Sequence, residues 1–305
     1  MTPAVSTNSP LAWVLAARPK TLAAALAPVL VATALALADG VARPMQALLC
    51  ALFALVMQVA ANLINDYFDF ARGTDDADRL GPERAMAQGW ITPRAMRGGI
   101  ALSVALAALI GMGIAALFLA SSGGDVPDAW PLVVLGAACI AGAFLYTLLM
   151  SYIALGDLLV WLFFGFVPVC GTYYVQAATL TLPVWLAAAA CGLVTDTLLV
   201  LNNYRDRDTD SAHHKHTLVS VLGEPFGRYF YFAQGVLGCA SAYALSHMGY
   251  PVARLVVFYL YFHLTTWQLM ARLRSGRALN RVLGLTARNI LLFALLLSLG
   301  LLLRN

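Results

Sequence analysis

With 305 residues, 61% of them hydrophobic and only 11% charged, the chain excludes a pair of ordinary water-soluble domains. A formal charge of +4, with its cations scattered along the chain, supplies no groove-binding patch and excludes nucleic acid as the expected partner. Cys50, Cys139, Cys170, Cys191 and Cys239 lie in apolar runs without CxxC spacing, so they read as buried packing residues rather than a redox or metal framework.

About 20 helical residues cross a hydrocarbon core of about 30 Å, and apolar runs of that length recur through the sequence. Nine transmembrane helices are expected, at about 21–38, 46–64, 97–120, 131–150, 155–175, 182–201, 229–247, 251–271 and 286–303. The fold class is therefore all-α and polytopic, one domain over residues 1–305 embedded in a lipid bilayer, with 1–16 expected as a flexible cytoplasmic tail. Under this count sixteen of the nineteen Lys and Arg fall on one side, leaving Arg43, Arg254 and Arg304 on the other. Cytoplasmic loops retain positive charge, which predicts a cytoplasmic N-terminus. Arg18, Lys20 and the apolar run after them also fit a secretory signal loosely, but cleavage would leave eight spans and upset the charge pattern.

In chain order, Ala17-Arg18-Pro19-Lys20-Thr21-Leu22 opens the first span, with Pro19 at a helix start. Arg18 and Lys20 either reach an anionic substrate group or serve only to set topology. The second span delivers a stretch from Asn62 to Arg97 holding six of the fifteen acids: Asp66, Asp69, Asp75, Asp76, Asp78 and Glu83. On a continuous helix Asn62, Asn65, Asp66 and Asp69 fall within roughly 100° of arc at about 3.6 residues per turn. Carboxylates so close repel unless a cation sits between them, and oxygen ligands suit Mg²⁺, which leaves positions for substrate phosphates. A solvated acidic loop is the other reading. The connection of around thirty residues, through Gln88-Gly89-Trp90-Ile91-Thr92-Pro93, is long enough to cover a reactive intermediate from water.

The third and fourth spans are rich in Ala, Leu and Gly, suited to close helix approach and without evident chemistry. Asp157 at the cytoplasmic end of the fifth is a candidate to line the site, whereas Tyr173 and Tyr174 sit where interfacial anchors sit. The sixth span contains Asp196, an ionisable residue inside a membrane helix. Asp196, Asn203 and Asp210 share one helix face; Asp196 either points toward the acids that follow or clamps neighbouring helices. Those acids lie in Asn202-Asn203-Tyr204-Arg205-Asp206-Arg207-Asp208-Thr209-Asp210, followed by His213, His214, Lys215 and His216.

Laid over the first stretch, Asn65-Asp66-Tyr67-Phe68-Asp69 matches Asn202-Asn203-Tyr204-Arg205-Asp206, with Arg79 and Lys215 each downstream. Two acidic clusters, each followed by a cation, suit a diphosphate gripped from two sides through metal ions. The histidines invite a zinc reading, but their spacing lacks a fixed fourth ligand. His263 reads as a hydrogen-bonded core residue. Tyr229, Tyr231, Tyr243, Tyr259, Tyr261 and Trp267 either line an aromatic chamber that shields a cation or pack and anchor the last helices. The basic segment from Leu273 to Arg281 is expected at an anionic membrane surface.

The ordered set Asn65-Asp66-x2-Asp69-x5-Asp75, Arg79-x-Gly81-Pro82-x-Arg84, Gly89-x-Ile91-Thr92, Tyr204-Arg205-Asp206-x-Asp208-x-Asp210 and Lys215-x-Thr217-Leu218 resembles the UbiA superfamily of membrane prenyltransferases. With Gly171-Thr172-Tyr173-Tyr174 and Thr286-Ala287-Arg288, it is most similar to the branch acting on 1,4-dihydroxy-2-naphthoate. The resemblance implies nine helices around a central cavity capped by both aspartate motifs, in a bacterial inner membrane. It implies that Asn65, Asp66, Asp69, Asp75, Asp206 and Asp210 hold two Mg²⁺ ions, and that Asp66, Asp69, Asp206, Asp210 and Lys215 are catalytic. Arg79, Lys215, Lys20, Asn65, Asn203 and Arg84 would bind the diphosphate.

Two departures from the family pattern stand out. Gly73 replaces the last aspartate of NxxxDxxxD, with Asp75 two residues on, and His214-Lys215-His216-Thr217-Leu218 replaces Gly-Lys-Arg-Thr-Leu. The implied reaction moves a polyprenyl group from polyprenyl diphosphate to 1,4-dihydroxy-2-naphthoate with decarboxylation, giving demethylmenaquinol. Homogentisate, a phenolic acid or a tetrapyrrole is the alternative acceptor, and a membrane transporter is the more distant alternative.

Overall fold

The computed structural model describes residues 5–73, 80–121, 129–148, 154–212 and 215–303. Its long elements are all helical: α1 (Pro10–Ala17), α2 (Pro19–Ala38), α3 (Pro44–Arg72), α4 (Pro93–Ser121), α5 (Trp130–Leu148), α6 (Gly156–Trp161), α7 (Val167–Ala177), α8 (Leu182–Ala212), α9 (Leu218–Ala244), α10 (Phe258–Leu273) and α11 (Leu279–Leu302). Seven stretches among the described residues are long and apolar enough to cross a membrane: α2, α3, α4, α5, the joined α6–α7 unit, α8 and α11. They coincide with seven of the nine expected spans.

The remaining two spans fall on α9 and on α10 with the 3-10 turn Pro251–Val257 before it. Alone, the 16 residues of α10 reach about 24 Å, short of a hydrocarbon core of about 30 Å. α9 interleaves Gly, Gln, Ser and Tyr with its apolar residues and is kinked where Gly223 takes φ 85°, two residues before Pro225. By length and composition, seven spans stand among the described residues.

α8 is organised differently from its neighbours. Its 31 residues make a rod of about 46 Å, so its C-terminal part extends beyond an apolar span and carries Asn202 to Asp210 outward. α3, with 29 residues, does the same for Asn65 and Asp69 before Gly73, at φ 72°, ends it. α8 packs along α9, α11 along α2 and α3 along α4. Between helices in lipid, close van der Waals contact replaces the water-driven hydrophobic effect, and small residues permit it. A Cβ on Gly165, in the π-turn joining α6 to α7, would stand 2.6 Å from the Ala188 carbonyl and 2.7 Å from the Gly192 Cα. α2 and α8 bury their alanine-rich faces in one cluster, among them Ala32, Leu35, Ala36, Ala187, Ala188 and Val194.

Residues 5–16, the described part of the segment expected as a flexible tail, include most of α1. Ser9 caps α1 by accepting the Ala12 N–H at 3.3 Å, and Ala12 and Ala16 are buried. The Asn8 N–H donates to the Trp90 carbonyl at 2.7 Å, and the Asn8 side chain accepts the Thr92 N–H at 3.1 Å. These contacts tie the first residues to the connection between α3 and α4. The apolar side chains of α1 pack there with Leu63, Ile64, Met86 and Ile91, which gives the segment a reason to stay folded.

Candidate active site

Both acidic stretches open onto one polar cavity of about 410 Å³. From α3 it receives Asn65 and Asp69, from α8 Asn202, Asn203, Arg205, Asp206, Thr209 and Asp210, and from the chain after α8 Lys215. Lys20 and Thr21 at the start of α2 and Arg84 from the α3–α4 connection complete much of its charged wall. Residues 65 and 69 are four apart, as are 202, 206 and 210, and that spacing puts each set on one face of its helix.

Each of these carboxylates has a cation of the same chain beside it. Arg84, 8% exposed, donates to Asp69 at 2.8 Å. Arg205 grips Asp206 in a two-pronged pair at 2.7 and 2.5 Å, and Lys215 lies 3.3 Å from Asp210. The second oxygen of Asp210 is buried without a hydrogen-bond partner among the described residues. Bidentate guanidinium pairs fix direction as well as charge, so Arg205 holds Asp206 in one orientation.

No three of Asp, Glu, His and Cys gather as a ready-made metal group among the described residues. The donor set nonetheless fits a hard cation: Asn65, Asp69, Asn202, Asp206 and the unpartnered Asp210 oxygen all line the same cavity.

Asp66, expected among the ligands, is absent from the lining of this cavity. It is 1% exposed and accepts the Ala85 and Met86 N–H groups at 3.0 and 3.3 Å. It anchors the α3–α4 connection, which brings Leu80, Pro82 and Arg84 to the cavity wall. Asn62 lines the adjoining apolar cavity rather than this one, donating to the Ala17 carbonyl at 2.9 Å and to Thr21 at 3.0 Å, and so pins the α1–α2 elbow. Asp75, Arg79, His213 and His214 lie outside the described residues.

A second, mainly apolar cavity of about 360 Å³ adjoins the first. Thr21, Asn65, Tyr146 and Asn202 line both, so the polar chamber continues into a space walled by Phe53, Met57, Leu159, Phe163 and Val167. Of the two readings of the aromatic residues in the last helices, packing and anchoring is the one that forms. Tyr231 and Tyr259 are buried in a stack with His263, while Tyr229 and Tyr261 are exposed on the flank and Trp267 donates to the Arg228 carbonyl at 2.9 Å. His263 is the hydrogen-bonded core residue expected, 3.1 Å from the Phe232 carbonyl.

Asp196 takes the clamp role of its two readings. It is fully buried, accepts the Trp161 indole N–H at 3.1 Å and a hydrogen bond from Gln234, and lines neither cavity. Tyr173 donates to Asp39 at 2.7 Å and lines neither cavity.

Four residues on the cavity wall escaped the sequence reading: Tyr146, Thr147, Asn202 and Asn280. Asn202 had a signal, because the internal repeat pairs it with Asn65. Thr147 hydrogen-bonds the Asn65 side chain, and Asn280 joins the two motifs. It accepts from Arg205 at 2.8 Å and donates to the Leu80 carbonyl at 2.8 Å.

The family model of the UbiA prenyltransferase family matches residues 25–293. The 1,4-dihydroxy-2-naphthoate octaprenyltransferase of Escherichia coli (strain K12) is 38% identical over 77% of this chain and 76% of its own length. Its namesake in Mycobacterium tuberculosis (strain ATCC 25618 / H37Rv) is 40% identical over 75% of each chain. Among solved structures, the apo form of a UbiA homolog from Aeropyrum pernix K1 superposes with a TM-score of 0.68 at 16% identity, covering 93% of this chain and 97% of that one. At that identity the likeness speaks for the fold alone.

Proposed function

The chain belongs to the UbiA prenyltransferase family, and from that premise we propose that it transfers a polyprenyl group from polyprenyl diphosphate to 1,4-dihydroxy-2-naphthoate. Carboxylate and diphosphate are lost and demethylmenaquinol is formed, a step of menaquinone biosynthesis. The observation that carries this reading is the convergence of two asparagine–aspartate faces on one cavity that continues into an apolar one. A diphosphate needs the first chamber, an isoprenoid tail the second, and a bond between them reacts where they meet.

Asn65, Asp69, Asn202, Asp206 and Asp210 would hold Mg²⁺, with Asp75 a further ligand. When bound, the metal supplies positive charge that stabilises a departing diphosphate. Lys20, Arg79, Arg84 and Lys215 bind the diphosphate oxygens, and Asn203 donates to them from its side-chain amide. Such preorganised donors act strongly in a site from which water is excluded. The phenylalanines of the apolar chamber keep water from the allylic carbon, where it would otherwise compete with the aromatic ring. We assign nine spans, counting α9 and α10, with the N-terminus and both motifs on the cytoplasmic side of a bacterial inner membrane.

The test is purified protein in detergent with Mg²⁺, 1,4-dihydroxy-2-naphthoate and a prenyl diphosphate, followed by mass analysis of the lipid extract. Prenylated, decarboxylated naphthol is the expected product. Absence of that product, alongside prenylation of a phenolic acid or homogentisate, overturns the acceptor assignment.

A further inference from the structure

Asp157 opens α6 on the wall of the polar cavity, yet it belongs to neither motif. Its residue is 3% exposed, and its Oδ1 is buried without a hydrogen-bond partner among the described residues. A buried carboxylate oxygen without a donor carries a desolvation cost. Such a group in a cavity wall calls for a donor that arrives with a ligand. Three of the cations on that wall are paired with the motifs' own acids: Arg84 with Asp69, Arg205 with Asp206 and Lys215 with Asp210.

The position of Asp157 narrows the choice of donor. A Cβ on the preceding Gly156 would stand 3.5 Å from Leu199 Cδ2 and 4.0 Å from the Tyr146 hydroxyl. Tyr146 and Leu199 both line the polar and the apolar cavity, so α6 begins beside the junction of the two. One turn further along α6, Trp161 is held by its hydrogen bond to Asp196, which fixes the face that α6 turns inward. Of the two substrates assigned above, the prenyl diphosphate brings acceptor oxygens and a hydrocarbon tail. Its negative charge is repelled by a carboxylate. The aromatic acceptor brings hydroxyl donors.

We infer that Asp157 is a catalytic residue that takes the proton of the acceptor's ring hydroxyl, a role that rests on the aromatic prenyltransferase reading above. As the carboxylate-bearing ring carbon bonds to the allylic carbon, the hydroxyl O–H breaks and its proton passes to Asp157 Oδ1. The O–H electron pair becomes the π bond of a ring carbonyl. The allylic C–O bond breaks with its electron pair leaving on diphosphate. Loss of CO₂ then returns the bonding pair to the ring, and the ring oxygen recovers its proton from Asp157. Atoms and charge balance without any further reactant.

The experiment compares wild type with Asp157→Asn and Asp157→Glu, as full-length protein in detergent, on 1,4-dihydroxy-2-naphthoate and its two mono-methyl ethers. Asp157→Asn is expected to lower kcat by about 10²- to 10⁴-fold with the KM for prenyl diphosphate unchanged. Asp157→Glu, which keeps the carboxylate, recovers part of that loss. With the ether that blocks the relevant hydroxyl, wild type falls to the level of Asp157→Asn and the variant loses nothing further. Wild-type kcat in Asp157→Asn, or a change confined to the prenyl diphosphate KM, overturns the role. So does an equal fold-loss on the free acceptor and both ethers. If Asp157→Asn does not fold, judged by its melting curve, Asp157→Glu decides: kcat below wild type on the free acceptor but equal to it on one ether supports the role, and any other pattern overturns it. Wild type without prenylated naphthol defeats the functional reading itself, whereas an active wild type with an indifferent Asp157→Asn defeats only this inference.

Discussion

The two motifs begin alike and are supported differently. In α3 the asparagine and aspartate at 65 and 69 face the cavity, and the helix ends one turn later at Gly73. In α8 the corresponding 202 and 206 are followed on the same face by Asp210, because the helix runs on. The residue beside each asparagine differs as well: Asp66 is buried and holds a loop, whereas Asn203 still lines the cavity. Asp69 takes its cation from that loop, fifteen residues away, while Asp206 takes its cation from the adjacent residue. The first motif is therefore assembled from a helix end and a connection, and the second is built mainly on one helix, with Lys215 added from the chain after it.

The largest expected effect tests what the motifs share. Asp69→Asn and Asp206→Asn each remove a charge from the same chamber, and each should lower kcat about 10²- to 10³-fold, the usual loss for one preorganised electrostatic contact. Both should also raise the Mg²⁺ concentration needed for half-maximal rate. Full turnover in either variant would break the equivalence of the two faces and with it the diphosphate site.

Next in size is the test of what they do not share. Asp66→Asn replaces one acceptor oxygen with an N–H that opposes a backbone N–H of the loop, so a charge-assisted bond is lost. Stability should fall by about 1.5–3 kcal/mol, read as a lower melting temperature, with faster proteolysis between residues 80 and 92. The Mg²⁺ requirement should stay where it was. A shift in that requirement as large as in Asp69→Asn would restore Asp66 to the ligand set.

This division explains how far the sequence could be read. The apolar runs and the clustered acids set the class and located the site, because both signals are local. Which polar residue faces inward is not local: adjacent helical residues differ by about 100°, and only the neighbours of the helix decide between Asn65 and Asp66. Tyr146 and Thr147 were hidden in a run whose average is apolar. Asn280 sat in a basic segment that looked like membrane-surface charge, and its role exists only because α11 meets Arg205 and Leu80 in space.

Asn280 accordingly offers a smaller effect on the same comparison. Asn280→Ala removes one hydrogen bond to each motif, to a charged guanidinium on one side and to a backbone carbonyl on the other. Arg205 keeps its grip on Asp206, so the loss should be about 1–3 kcal/mol of stability. Activity should fall far less than in Asp206→Asn. A collapse equal to that of Asp206→Asn would mean that the rod of α8 is not self-sufficient and that the contrast drawn above is wrong.

The smallest effect concerns the residue after Lys215, where the resemblance expected arginine and the chain carries His216. Its side chain is exposed and lies outside the cavity lining, while its backbone carbonyl accepts the Ala154 N–H at 2.7 Å. What the position supplies is therefore a backbone contact that any residue can make, directing the chain from Lys215 into the capped start of α9 at Thr217. His216→Arg leaves that carbonyl in place and adds a cation in solvent, where a surface change is worth less than about 0.5 kcal/mol, a factor of about two in rate or affinity. Steady-state kinetics in prenyl diphosphate measures this directly. A tenfold or greater drop in KM would mean that the cation reaches the diphosphate after all. The α8 side of the chamber would then depend on its following loop as much as the α3 side does.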